Sequence, residues 1–178
     1  VEMQQHQMET LGKRQSDLYA DLDQRLADLA KAAQPAAASA DAGVVAAGAP
    51  PADASAASRS YESALALFRE ANYPGAIAGF GSFLKAHPDS ELAANAQYWI
   101  GYSYYALKDY KTALAQQQKL VATYPGNPKV PDALFNIAAN QIALGQTATA
   151  RKTLEEIVAK HPGTPAATLA ARRLSTLK

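Results

Sequence analysis

The chain contains no cysteine, which excludes a disulfide framework, a thiolate zinc site and a cysteine nucleophile. It carries almost no net charge. Seventeen basic against 16 acidic side chains leave +1, which argues against a nucleic-acid binder that uses the whole chain. No apolar run approaches the roughly 20 residues needed to span a bilayer. Large apolar side chains are nearly missing from one stretch: between Ala32 and Ser58 only Val44 and Val45 occur. The overall apolar content of 48% therefore hides a division, because 41 of those residues are alanine and 34 of the 45 larger ones lie in the last 120 positions. Only that C-terminal part can build an ordinary core. The chain opens on valine inside a polar helical pattern and so reads as a fragment or processed product, with any signal peptide outside it.

Three segments follow. In residues 1–31, Val1, Met8, Gln15, Leu22 and Leu29 recur every seven positions, with Gln4, Leu11, Leu18 and Arg25 between them at the alternate 3/4 spacing. That is a coiled-coil seam, and we expect oligomerisation through Met8, Leu11, Gln15, Leu18, Leu22 and Leu29. A lone amphipathic helix packed on the C-terminal domain is the alternative. Residues 32–58 are mostly Ala, Pro, Ser and Gly and read as a flexible linker, with too few large side chains to offset the entropy of ordering.

Residues 59–178 repeat themselves with a 37-residue shift and no gap. Pro88, Pro125 and Pro162 coincide, as do Ala76, Ala113 and Ala150, then Tyr61, Tyr98 and Phe135, then Ala64, Gly101 and Ala138. Apolar spacings of 3 and 4 predict two helices per unit, at 59–71 and 74–86, 91–107 and 110–123, 131–144 and 147–160. Ser90 is a candidate N-cap, Pro131 and Pro165 suit first-turn positions, and Thr164 caps a last helix over 165–177. The expected fold is all-α: an N-terminal coiled-coil helix, a flexible tether, and a three-repeat helix-turn-helix solenoid in units of about 59–94, 95–131 and 132–163, capped by a helix within 164–177.

This pattern resembles the tetratricopeptide repeat, with Gly101, Tyr104, Ala113 and Pro125 at the small, aromatic, small and proline positions. A closer resemblance rests on three stretches, Asn95 to Tyr105, Tyr124 to Phe135 and His161 to Leu174, together with Gln15 to Leu26 upstream. These are similar to the periplasmic Tol-Pal-associated family called YbgF or CpoB, the cell-division coordinators, in which a coiled coil, an Ala/Pro tether and three repeats follow in the same order. The resemblance implies a periplasmic adaptor that forms a homotrimer through the coiled coil and binds TolA. It also implies coordination of outer-membrane constriction with septal peptidoglycan synthesis, with a bifunctional penicillin-binding protein as second partner.

Catalytic, cofactor and metal sites are not expected. His87 and His161 sit at equivalent repeat positions just before the closing proline, so the fold explains them as helix-end residues. Adjacent Glu155 and Glu156 face different sides of a helix, and the glycines Gly79 and Gly81 fall inside a helical pattern rather than after a strand. The informative surface is the inner face of the first helices. In register these residues are Tyr61, Leu65 and Phe68, then Tyr98, Tyr102 and Tyr105, then Phe135, Ala139 and Ile142. They are apolar and aromatic, and the Lys/Asn set that other repeat proteins use to clamp a C-terminal carboxylate is missing. Aromatic rings with hydroxyls suit a partner peptide or helix, while packing between helices is the competing role. A basic set, Lys108, Lys111, Lys119, Lys129, Arg151, Lys152, Arg172 and Arg173, reads either as an attractor of acidic partners or as a solvated surface. The leading reading is a non-enzymatic adaptor. The alternative is a chaperone-like holder of envelope or lipoprotein clients.

Overall fold

The computed structural model describes residues 52–177, with side chains from residue 56 onward. The expected coiled-coil seam and most of the expected linker lie outside the described residues. Seven helices follow one another: α1 (Ala52–Arg69), α2 (Tyr73–Ala86), α3 (Ala93–Ala106), α4 (Tyr110–Thr123), α5 (Val130–Ala143), α6 (Thr147–Lys160) and α7 (Pro165–Thr176). Each packs on the next, while α3 also touches α5 and α5 touches α7. The first helices of the units thus form one layer and the second helices the other, the arrangement of a helix-pair solenoid.

One boundary differs from expectation. Helix α1 begins at Ala52, so the last part of the segment read as linker is helical. Beyond the Pro50-Pro51 pair no breaker remains, alanine is the best helix former, and Ala57 is buried at 6% exposure. Ser90 also acts differently: α3 starts three residues later, and the Ser90 hydroxyl accepts from the Leu92 amide in the preceding turn (3.2 Å). Thr164 does cap α7, its hydroxyl accepting from the Ala167 amide at 3.2 Å with Pro165 in the first turn.

The 37-residue period reaches into the backbone. Within each unit the two helices are joined through a residue with positive φ: Ala71 at 59°, Lys108 at 63° and Gly145 at 76°. Only the glycine adopts this left-handed conformation without a Cβ penalty. The next residue in each unit is the N-cap of the second helix. Asn72 Oδ1 accepts from the Gly75 amide (3.0 Å) and Asp109 Oδ1 from the Thr112 amide (3.2 Å), but the longer Gln146 makes no side-chain cap. His87, Tyr124 and His161 form the corresponding C-caps, their amides donating to Phe83, Leu120 and Ile157.

Small residues set the helix spacing. Ala76, Ala113 and Ala150 are fully buried, as is Ala138, and a Cβ on Gly79 would lie 2.9 Å from the Ala64 Cβ. Close approach therefore explains Gly79. Gly81 has nothing near it and carries no such constraint.

Candidate partner-binding groove

The first unit and the junction to the second are built from rings. Tyr61 meets Phe80 and Phe83 edge-on, at 5.4 and 5.6 Å between centroids, and its hydroxyl accepts from Trp99 Nε1 at 3.1 Å. Phe68 packs on Trp99 (4.7 Å), Tyr73 (5.5 Å) and Tyr102 (5.7 Å). This geometry corrects four of the nine expected groove positions. Tyr61 and Leu65 are fully buried, Tyr98 is 2% exposed and Phe68 7%. The cause is superhelical stacking: the first helix of each following unit lies over the preceding one and turns these side chains into core.

The remaining five, Tyr102, Tyr105, Phe135, Ala139 and Ile142, are half-buried and reach the surface. The aromatic row continues from Tyr102 to Tyr105 (6.0 Å) and on to Tyr110 (5.4 Å), the first residue of α4. Tyr110 and its counterpart Tyr73, the first residue of α2, had no part in the sequence reading. Their 37-residue separation, one position after an N-cap, was the available signal.

The expected basic surface divides. Lys129 is 8% exposed: its ammonium sits 4.5 Å from the Tyr98 ring centroid and 5.9 Å from that of Trp99, with Asp132 at 3.9 Å. A desolvated cation over a ring is worth about 2 kcal/mol, so this lysine is part of the core lid rather than a free surface charge. Arg151 donates to the Leu177 carbonyl at 2.8 Å. Lys108, Lys111, Lys119, Lys152 and Arg172 are exposed, and Arg173 is half-buried.

Burial pushes the Tyr105 phenol above its ordinary value, neighbouring Tyr110 adds to this, and Arg173 opposes it. The hydroxyl is therefore a neutral donor at physiological pH.

The second unit has an amide-rich interior. Gln97 Nε2 donates to Gln116 Oε1 (2.8 Å), and Gln117 Nε2 donates to the Tyr98 carbonyl (3.0 Å). In the third unit the Thr153 hydroxyl donates to Gln141 Oε1 (2.9 Å). Among the described residues, three buried polar atoms are left without partners: Gln117 Oε1, Asn136 Nδ2 and Asn140 Oδ1.

His87 and His161 are half-buried helix ends, with His87 5.5 Å from the Phe83 ring, and Glu155 and Glu156 are exposed. Among the described residues no group of three His, Asp or Glu is placed to hold a metal, and no helix is long and apolar enough to cross a membrane.

Residues 53–178 match the family model described as outer membrane lipoprotein, YfiO. The chain belongs to that family. Ahead of this YfiO-family repeat region, residues 1–36 match a second model, described as TolA binding protein trimerisation. Among solved structures, the first tetratricopeptide repeat domain of Spaghetti (RPAP3), bound to the HSP90 peptide SRMEEVD, superposes with a TM-score of 0.55. It covers 67% of this chain and 90% of that one at 22% identity, which establishes the tetratricopeptide fold for this family member. No curated protein matches the chain.

Proposed function

We propose that the chain is a non-enzymatic periplasmic adaptor. Its residues 1–31 assemble a homotrimer, the following linker gives reach, and the repeat domain recruits TolA. In this role it coordinates outer-membrane constriction with septal peptidoglycan synthesis during cell division, with a bifunctional penicillin-binding protein as second partner. The observation that carries the reading is the combination in one chain of a trimerisation-family segment at 1–36 and a repeat array whose first-helix layer leaves aromatic residues at the surface. Three repeat domains on one stalk raise the effective concentration at a multivalent partner without any new contact.

Half-buried tyrosines suit partner contacts, because each offers a large rigid surface at low entropic cost together with a hydroxyl. The nine positions read from sequence reduce, on this proposal, to Tyr102, Tyr105, Phe135, Ala139 and Ile142. Sedimentation of residues 1–178 and 52–178, alone and with purified TolA, tests both halves. The longer chain should run as a trimer and the shorter as a monomer, and both should bind TolA. In the double variant Tyr102→Ala/Tyr105→Ala, binding should fall by at least tenfold while helical circular dichroism is retained; unchanged binding in the folded variant removes the groove from the proposal.

A further inference from the structure

At the turn from α3 to α4, three locally unfavourable choices fall within five residues. Leu107 is 45% exposed, although its repeat equivalents are the polar Glu70 and the half-buried Leu144. Lys108 holds φ at 63°, a left-handed conformation that the third unit gives to Gly145 and that costs a residue with a Cβ about 1–2 kcal/mol. Lys111 is the second residue of α4, where the helix dipole opposes a positive charge; the neutral Pro74 and Ala148 stand there in the other units. None of these three side chains belongs to the core. Positions that break local rules without a structural return are where function is expected.

The neighbouring residues make the turn a surface of two parts, one charged and one apolar. Lys108 and Lys111 are both exposed, and neither pairs with an acid among the described residues. Asp109 lies between them in the chain, but its Oδ1 is committed to the Thr112 amide (3.2 Å) as the cap of α4. From Tyr110 to Pro131 no acidic residue occurs, and exposed Lys119 shares a face of α4 with Lys111 at the i, i+8 spacing. The positive charge is therefore left uncompensated locally. Tyr105 and Tyr110, half-buried with ring centroids 5.4 Å apart, bracket the turn.

We infer that this turn docks an acidic segment of the partner that carries apolar residues beside its carboxylates, the carboxylates on Lys108 and Lys111 and the apolar side chains on Leu107 and the Tyr105–Tyr110 pair. Charge selects this occupant: a basic segment meets like charge, and a wholly apolar one covers two ammonium groups without a counter-charge. The proposal rests on the adaptor reading, whose groove shares Tyr105, and extends the contact from that groove around the α3–α4 turn.

Binders selected from a displayed library of random dodecapeptides against residues 1–178 should carry Asp or Glu next to Leu, Phe or Tyr; titration then measures these peptides and purified TolA. Lys108→Glu/Lys111→Glu should weaken both by about tenfold or more, and peptides with lysine in place of the carboxylates should regain binding to that variant. Leu107→Ser should weaken binding with charge unchanged. Lys108→Gly separates function from fold: it relieves the left-handed conformation, so it should melt higher than wild type while binding more weakly. Lys160→Glu, which breaks the exposed pair with Glu156 on α6, should leave binding unchanged. Thermal unfolding of each variant keeps loss of fold separate from loss of binding. Peptides without an acidic residue, an absence of any consensus, or equal peptide binding by folded Lys108→Glu/Lys111→Glu overturns the proposal. If the selected peptides depend on the two lysines but wild type does not bind TolA, the adaptor reading falls and the chemistry of the turn stands; if wild type binds TolA and the folded double-charge variant binds TolA and peptides equally, the turn site falls alone.

Discussion

In the first unit α2 packs on α1 through Phe80, and in the second unit the equivalent position, 37 residues on, is Gln117; the third unit has Leu154 there. All three are fully buried. On the opposite helices the repeat-equivalent small residues are Ala64, Gly101 and Ala138, and Gly101 faces Gln117. A Cβ on Gly101 would stand 2.5 Å from Gln117 Nε2. The glutamine turns toward α3 to reach the Tyr98 carbonyl, and this inward amide is what requires glycine on the opposing helix. The small residue shared by all units is thus set by its partner, not by the fold alone. The same contrast separates an aromatic, fully satisfied first unit from an amide-lined second unit with an orphaned acceptor, Gln117 Oε1.

The largest effect belongs to the aromatic side of this comparison. Trp99→Ala, which removes the ring joining units one and two, should cost about 3–5 kcal/mol in chemical denaturation. On the amide side, Gly101→Ala should cost about 1–3 kcal/mol by overpacking. Gln117→Leu, which installs the third unit's residue and removes the orphan, should abolish most of that cost in the double variant. A double-mutant cycle with additive effects would contradict the assigned pairing of Gly101 with Gln117. Gln146→Asp should raise stability by about 1 kcal/mol, since it supplies the third unit with the cap that Asn72 and Asp109 give the others; an unchanged thermal midpoint would show that the cap is not formed.

The smallest effect is on pH dependence. The Tyr105 phenol titrates above its ordinary value in the folded state, so the native chain holds a proton that the unfolded chain has released. Stability is therefore flat with respect to this group below about pH 10 and falls as pH rises further, through the folded value. In Tyr105→Phe that part of the alkaline slope should disappear in denaturation midpoints measured from pH 8 to 11.

The helices and their order were legible because 3.6-residue periodicity and a 37-residue repeat are properties of the residues themselves. Some cap positions were legible for the same reason: Thr164 and the His87 and His161 helix ends stand where the pattern places them, whereas Ser90 serves the turn before its helix. The exposure of the candidate groove residues was only partly legible. Tyr61, Leu65, Phe68 and Tyr98 occupy the inner-face register, but their burial depends on how far each unit rotates over the last, and spacing within one helix does not carry that rotation. Lys129 was misread for a related reason. A lysine after a proline-rich turn has the sequence character of a surface residue, and only the stacking of α5 beside α3 brings its ammonium over Tyr98 and Trp99. The start of α1 was hidden by composition, since alanine-rich sequence is compatible with both a tether and a helix until a neighbour, here the core around Ala57, decides between them.

Trp99 is the only tryptophan in the chain, and it lies fully buried where the first two units meet. The molecule therefore carries its own optical reporter, and one with a restricted field of view. Indole emission will follow loosening between the first two units and stay silent while α6 and α7 fray, whereas amide circular dichroism registers both. A gap between the two melting curves would accordingly measure, without any label, how far this short array departs from a single cooperative block.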